Sequence, residues 1–209
     1  MRGLRTTAGR SDDVGGARLA RAFLAGLFLT ATLVAGGSPA AAKSYEVRRL
    51  AIEAMVQPDG GVEVREEITY NFRGAFRFAY REIPLRRGDV VGEVRVSEGG
   101  RSYDGTGTEE PGTFRVEQKS GAMRVTWFYR AKNESRTFRL SYRLDGIVRR
   151  HPDIAELYYK FVGDDWEHPI DVVEVSVRLP VDVDPTSVRA WAHGPLHGNV
   201  EPRGDGSVR

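Results

Sequence analysis

The sequence predicts an all-β fold, an antiparallel β-sandwich of about nine strands preceded by a signal peptide. Three observations carry this. Apolar residues alternate with polar ones in run after run, most strictly in Val62–Phe72. Turn clusters rich in Gly, Pro, Asp and Ser separate the runs at short intervals. No segment sustains a helical period over a long stretch.

Residues 1–42 read as a leader. Arg2, Arg5, Arg10, Arg18 and Arg21 form a positive region, Ala22–Ala35 is an apolar run of 14 residues, and Ser38–Ala42 ends in small residues suited to cleavage. The run is shorter than the ~20 residues of a spanning helix. No twin-arginine pair precedes it, which favours the general secretory route. Residues 43–209 form one extracytoplasmic domain, long enough for a real core. Five of the 31 basic residues and two of the 29 acidic ones lie in the leader, so the remainder carries a net charge of −1. The basic balance thus belongs to the leader and gives no support to nucleic-acid binding. The 209 residues include no cysteine, which excludes disulfides, a thiol nucleophile and a cysteine-linked lipid anchor.

Along the domain, Tyr45–Val56 is a strand whose apolar parity slips near Arg48–Arg49, as a bulge would make it. Gln57–Gly61 (QPDGG) is a turn, and Val62 opens a second strand, giving a hairpin. Val62, Val64, Ile68, Tyr70 and Phe72 share one face, interrupted by Glu66. Ala75–Arg81 is a third strand, with Phe76, Phe78 and Tyr80 on one parity, and Pro84 ends it or confines it to an edge. Val90–Ser97 is a fourth. Glu98–Gly112 reads as a long exposed loop broken at Arg101–Tyr103. Phe114–Gln118 and Met123–Ala131 form a hairpin, with Met123, Val125, Trp127, Tyr129 and Ala131 facing the core. Phe138, Leu140, Tyr142 and Leu144 repeat the pattern. Pro152–Val162 fits either a capped helix or a strand; its short, aromatic character favours a turn at 152–156 followed by a strand. Val173–Leu179 and a short Val188–Ala192 complete the set.

Several stretches, in order, resemble the N-terminal domain of the YciQ-like family of predicted bacterial membrane proteins, a domain of unknown function. They are Gln57–Gly61 before Val64-Arg65-Glu66, Phe72-Arg73-Gly74, Tyr80–Pro84, Tyr142-Arg143, Glu156–Tyr159, Gly163–Trp166, Leu179-Pro180 and Ala192–Leu196. The resemblance spans nearly all of Ser44–Val200. It implies an exported domain followed by transmembrane helices and a glycine-rich tail, and it brings no activity with it. Because Asp205–Val208 looks like the start of a strand with no such helix after it, the expectation is a chain truncated at its C-terminal end, membrane-anchored in full length or secreted if it ends at Arg209.

Four constellations are candidates for function. Glu66, on an apolar parity, is either a general acid or base with a raised pKa or half of a structural ion pair with Arg77 or Arg81. Asp164, Asp165 and His168, beside Trp166, are candidate metal ligands, although their spacing matches no established ligand loop. Arg124, Arg130, Arg139 and Arg143, with Phe128 among them, make a basic patch if two successive strands pair in register; Trp166 joins them as a binding candidate, and the alternative is a solvated face balanced by Glu63 and Glu67. Trp127, Trp166 and Trp191 are candidate stacking platforms for carbohydrate. No nucleophile elbow, P-loop or dinucleotide fingerprint is present. The leading expectation is a non-enzymatic binding or assembly module at the cell envelope, with no cofactor and with an envelope protein, polymer or lipid surface as partner. The rivals are an envelope hydrolase or metal-dependent enzyme, and a carbohydrate-binding module.

Overall fold

The computed structural model describes residues 42–163, 166–193, 198–203 and 207–209, so the leader and the aspartates at 164 and 165 lie outside the described residues. Twelve strands run through them: β1 Ser44–Val56, β2 Val62–Arg73, β3 Ala75–Pro84, β4 Val90–Glu98, β5 Arg101–Ser102, β6 Phe114–Lys119, β7 Ala122–Lys132, β8 Ser135–Asp145, β9 Val148–Arg150, β10 Ala155–Leu157, β11 Val173–Arg178 and β12 Ser207–Val208. They make a seven-stranded sheet in the order β12-β11-β1-β2-β8-β4-β5, a three-stranded sheet β3-β7-β6 and a two-stranded β9–β10 hairpin.

The predicted hairpin and its bulge are present. β1 and β2 pair from Ser44↔Arg73 to Val56↔Val62, with the register slipping between Val47 and Arg49. The slip lets Tyr45 and Val47, then Leu50, Ile52 and Ala54, all turn toward the core. Gly60 sits at φ 88°, in the left-handed region its turn requires. Asp59 Oδ1 accepts the Gly61 N–H at 3.0 Å and fixes the turn.

The inner faces of the two larger sheets meet in one aromatic core. Phe138 of the large sheet lies 4.7 Å from Tyr129 and 5.5 Å from Trp127 of the small sheet, centroid to centroid. Phe72 lies 5.5 Å from Tyr129. The four inward residues of β8 are all buried, as the alternation predicts.

Three expectations need correction. The large sheet is mixed: β1 pairs with β11 in parallel, from Leu50↔Val173 to Met55↔Arg178. Since β11 runs the same way as β8, the chain must return along the sandwich between them, and residues 146–172 do this. Tyr159, Phe161, Val162, Trp166 and Ile170 of this crossover join the core. The aromatic run after Pro152 is therefore a strap closed by the short β9–β10 hairpin rather than a strand of a main sheet. Third, Val188–Ala192 is not a strand; the closing partner of β11 is instead β12, at the Ser207–Val208 the sequence marked as a strand start.

Candidate functional site

The parity of β3 decides what the small sheet presents. The register shifts between Phe76 and Phe78, where Tyr129 and Arg130 of β7 stand opposite Arg77 alone, and the parity of β3 changes at this bulge. Phe76 points into the core, but after the bulge Ala79, Arg81 and Ile83 turn inward and Phe78 and Tyr80 turn outward. The sequence expectation of one aromatic face is thereby reversed at its second residue.

Arg81, so inverted, reaches Glu66. Arg81 Nε donates to Glu66 Oε2 at 2.8 Å and its NH2 to Oε1 at 3.2 Å. The side chains are 3% and 0% exposed. Tyr142 O–H donates to Glu66 Oε1 at 2.6 Å. Both carboxylate oxygens are thus occupied by donors, and the structural ion pair with Arg81 is the reading that holds; Arg77 is exposed. Burial pushes the Tyr142 hydroxyl well above its usual pKa, and the negative charge of Glu66 adds to that. Burial acts to lower Arg81, but the neighbouring carboxylate outweighs it and holds the guanidinium charged. Glu66 faces no cleft, so it offers no oxygen to a substrate.

The same arginine holds the strap. Its NH2 donates to the Phe161 carbonyl at 2.7 Å, and its guanidinium lies 5.3 Å from the Trp166 ring centroid. Next to it, Tyr45 and Tyr80 donate to the two oxygens of Glu167, at 3.2 and 3.0 Å. The His168 ring stands edge-on to Tyr45 at 4.4 Å. Trp166 is therefore a half-buried packing residue on the sheet edge. Among the described residues no three potential ligands gather as a metal site, and Asp164 and Asp165 lie outside them.

The four arginines do not form one patch. Their strands, β7 and β8, belong to different sheets, because the turn between them carries the chain from the small sheet to the large one. Arg139 and Arg143 lie on the outer face of the large sheet. Arg139 pairs with Glu67 at 2.8 Å, as the balanced-face alternative expected, and Arg143 pairs with Asp59 at 2.8 Å and Asp145 at 2.9 Å. Arg124, Phe128 and Arg130 lie on the outer face of the small sheet. There the register sets Phe78 beside Phe128, Tyr80 and Arg115 on either side of Thr126, and Glu82 and Glu117 on either side of Arg124. Arg124 donates to Glu82 at 2.7 Å while its guanidinium sits 4.5 Å from the Tyr80 centroid. Arg115 lies 5.5 Å from the Phe128 centroid. Phe128 is buried beneath this layer, so the accessible aromatic is Phe78, 55% exposed. Phe78 and Tyr80 were not singled out by the sequence, since their outward aim depends on the bulge.

Of the proposed stacking platforms, Trp127 is fully buried and is excluded; Trp191 is exposed, and the His193 beside it likewise.

The chain matches the family model described as "Predicted membrane protein (DUF2207) N-terminal domain" over residues 46–208. It belongs to that family. This makes it the N-terminal domain of a membrane-associated protein, and the match covers nearly all of the stretch over which the sequence resembles the family. No helix among the described residues is long and apolar enough to cross a membrane. No curated protein matches the chain. Among solved structures, it overlays on an M1 zinc metallopeptidase from Deinococcus radiodurans with a TM-score of 0.38 and 16% identity, over 78% of this chain and 37% of that one. A mutant of that peptidase bound to a Tyr-Ser-Ala substrate gives a TM-score of 0.40 at 17% identity, with the same coverage. The chain spans a little over a third of those structures, and overlays this loose transfer no chemistry to the DUF2207 domain.

Proposed function

We propose that this DUF2207 domain is a non-enzymatic, extracytoplasmic binding module that holds a partner of the cell envelope on the outer face of β3-β7-β6. The observation that carries the reading is the state of that face. Arg124 and Arg115 are each held by a carboxylate and laid against an aromatic ring, and Phe78 stands clear of them in solvent. Such a surface is ordered before any partner arrives, so binding costs little side-chain entropy. Aromatic and arginine side chains are also the types that dominate interface energies. The non-enzymatic part of the reading is supported by Glu66, whose oxygens are committed to Arg81 and Tyr142. The exported location is supported by the leader pattern and by the family.

Photo-crosslinking in intact cells tests it. A crosslinker placed at Phe78 and, separately, at Arg130 gives the same discrete adduct, and one at Arg65, on the outer face of the large sheet, does not. Adducts that are identical from all three positions, or absent from the first two, overturn the assignment.

A further inference from the structure

At one end of the sandwich the turn Gln57–Gly61, the loop Leu85–Asp89, the β6–β7 turn and the β9–β10 hairpin come together. Leu85 N–H donates to the Gly121 carbonyl at 2.8 Å. A Cβ built on Gly146 would lie 2.7 Å from the Gly88 carbonyl oxygen, so the β3–β4 loop packs closely on the chain just after β8. Arg86, Ile147, Arg149, Glu156 and Tyr158 line a shallow cleft of about 220 Å³. The Arg86 guanidinium lies 4.4 Å from the Tyr158 centroid.

Two properties coincide at this end. First, Arg86, Arg87, Arg149 and Arg150 are exposed, and among the described residues no carboxylate lies within ion-pairing distance of any of them. Many arginines elsewhere pair with acids, among them Arg48, Arg49, Arg73, Arg115, Arg124, Arg136 and Arg139. Arg65, Arg77 and Arg101 are also unpaired, but at this end four such arginines gather, and Arg86 and Arg149 line one cleft. The acids at this end have other engagements or stand apart. Asp89 accepts the backbone N–H of Arg86 at 2.8 Å, Glu156 stands opposite Arg149 in the β9–β10 ladder but outside ion-pairing distance of it and lies 3.6 Å from His151, Asp59 and Asp145 hold Arg143, and Glu117 lies 3.7 Å from Lys119; Asp153 sits in the hairpin turn. Second, apolar side chains project beside the free guanidinium groups: Ile154 is 59% exposed and Tyr158 61%. Arginines of the Leu85–Asp89 loop and of the short β9–β10 hairpin, beside an exposed aliphatic residue and a tyrosine, suit a membrane interface. Cations meet headgroup phosphates there while Tyr and Ile reach the acyl boundary.

We propose that this end of the domain rests on an anionic phospholipid surface, with Arg86, Arg87, Arg149 and Arg150 among the headgroups and Ile154 and Tyr158 entering the interface. The inference rests on the membrane association of the family and is independent of the partner assigned to the small sheet. The guanidinium groups are spread over a loop and a short hairpin, and all four arginines are exposed, which fits a plane of phosphates rather than a single small anion.

Vesicle co-sedimentation of residues 42–209, the unit that carries the core, tests this without the apolar leader. The expected result is binding to phosphatidylglycerol/phosphatidylcholine vesicles at low salt, several-fold weaker binding to phosphatidylcholine alone, and loss in half-molar salt. Arg86→Ser/Arg149→Ser lowers the partition by about tenfold or more. Tyr158→Ser lowers it at constant charge, and Arg65→Ser, on the outer face of the large sheet, leaves it within about twofold. Melting curves confirm that the variants are folded. Equal binding to both vesicle types, no binding at all, or equal losses in the Arg65 and Arg86/Arg149 variants overturn the proposal. So does displacement by millimolar inorganic phosphate, which would identify a small-anion site instead.

Discussion

Glu66 gives the sharpest test of how the fold is held. Replacing it by Gln keeps the shape and an acceptor for Tyr142 but removes the charge that faces Arg81. The guanidinium is then buried, 3% exposed, with no counter-ion. Breaking a buried pair in this way costs about 3–5 kcal/mol, against a net value for the intact pair near zero. For a domain of this size that is a fall in melting temperature of ~10 °C. Arg81→Met removes the other partner, frees the Phe161 carbonyl and withdraws the cation from Trp166, and it costs a similar amount. The double variant Glu66→Leu/Arg81→Met replaces both charges by apolar groups of similar volume. It recovers most of the loss and lies within about 2 kcal/mol of the parent, the remainder reflecting Tyr142 left without its acceptor. Urea unfolding followed by tryptophan fluorescence measures the cycle, with the single variant Glu66→Leu as the fourth corner beside the parent, Arg81→Met and the double variant. The coupling should favour the double variant by several kcal/mol. If Glu66→Gln changes stability by less than ~0.5 kcal/mol, or if the single losses simply add, the pair is not buried as described and the argument fails.

Phe138→Ala, at the junction of the two sheets, destabilises by about 3–5 kcal/mol in the same assay, and a loss under ~1 kcal/mol would mean the sheets do not meet there. Glu98 is partly buried, which acts to raise its pKa, but hydrogen bonds from Arg136 and Tyr103 outweigh this and hold it low. A lowered carboxyl stabilises the fold above the unfolded pKa and loses that contribution as pH falls through the folded value, so Arg136→Met should flatten the acid limb of a stability–pH curve. Tyr45 is pushed up to about 12, first by burial and then by the charge of Glu167, with the hydrogen bond to that residue adding to both. Its contribution is fully present below the unfolded value near 10.0 and is lost as pH rises through about 12. Ultraviolet titration of the phenolate should show the Tyr45 step move down in Glu167→Gln, and an unmoved step would deny the contact.

Most strands were legible because burial on one face enforces a period of two. Val62–Phe72 and Phe138–Leu144 could be assigned from alternation alone, and the slip at Arg48–Arg49 was itself visible as a change of parity. The bulge opposite Arg77 left no such mark. Phe76, Phe78 and Tyr80 are all aromatic, and Arg81 looks like a surface residue until it is known that Glu66 waits inside. Alternation also says nothing about which sheet a strand joins. It could therefore only be said that the arginines at 124, 130, 139 and 143 share a surface if the sequence neighbours β7 and β8 pair, and they do not. The crossover was ambiguous for a related reason. Its aromatics cap the core without belonging to a sheet, so neither the helical nor the strand period describes them.

The parallel pairing of β1 has a bearing on how the domain comes into being. β1 is flanked by β2, which follows at once, and by β11; Arg49 and Glu174, which join β1 to β11, are 125 positions apart. A chain emerging from N- to C-terminus completes β1–β2 early and leaves the other side of β1 without a partner until nearly the whole domain has appeared. During that interval an apolar strand of 13 residues presents bare N–H and C=O groups, a template for pairing with another chain. Yield should therefore depend on the holding capacity of whatever escorts the nascent protein, and C-terminal deletions that remove β11 should aggregate rather than merely lose stability.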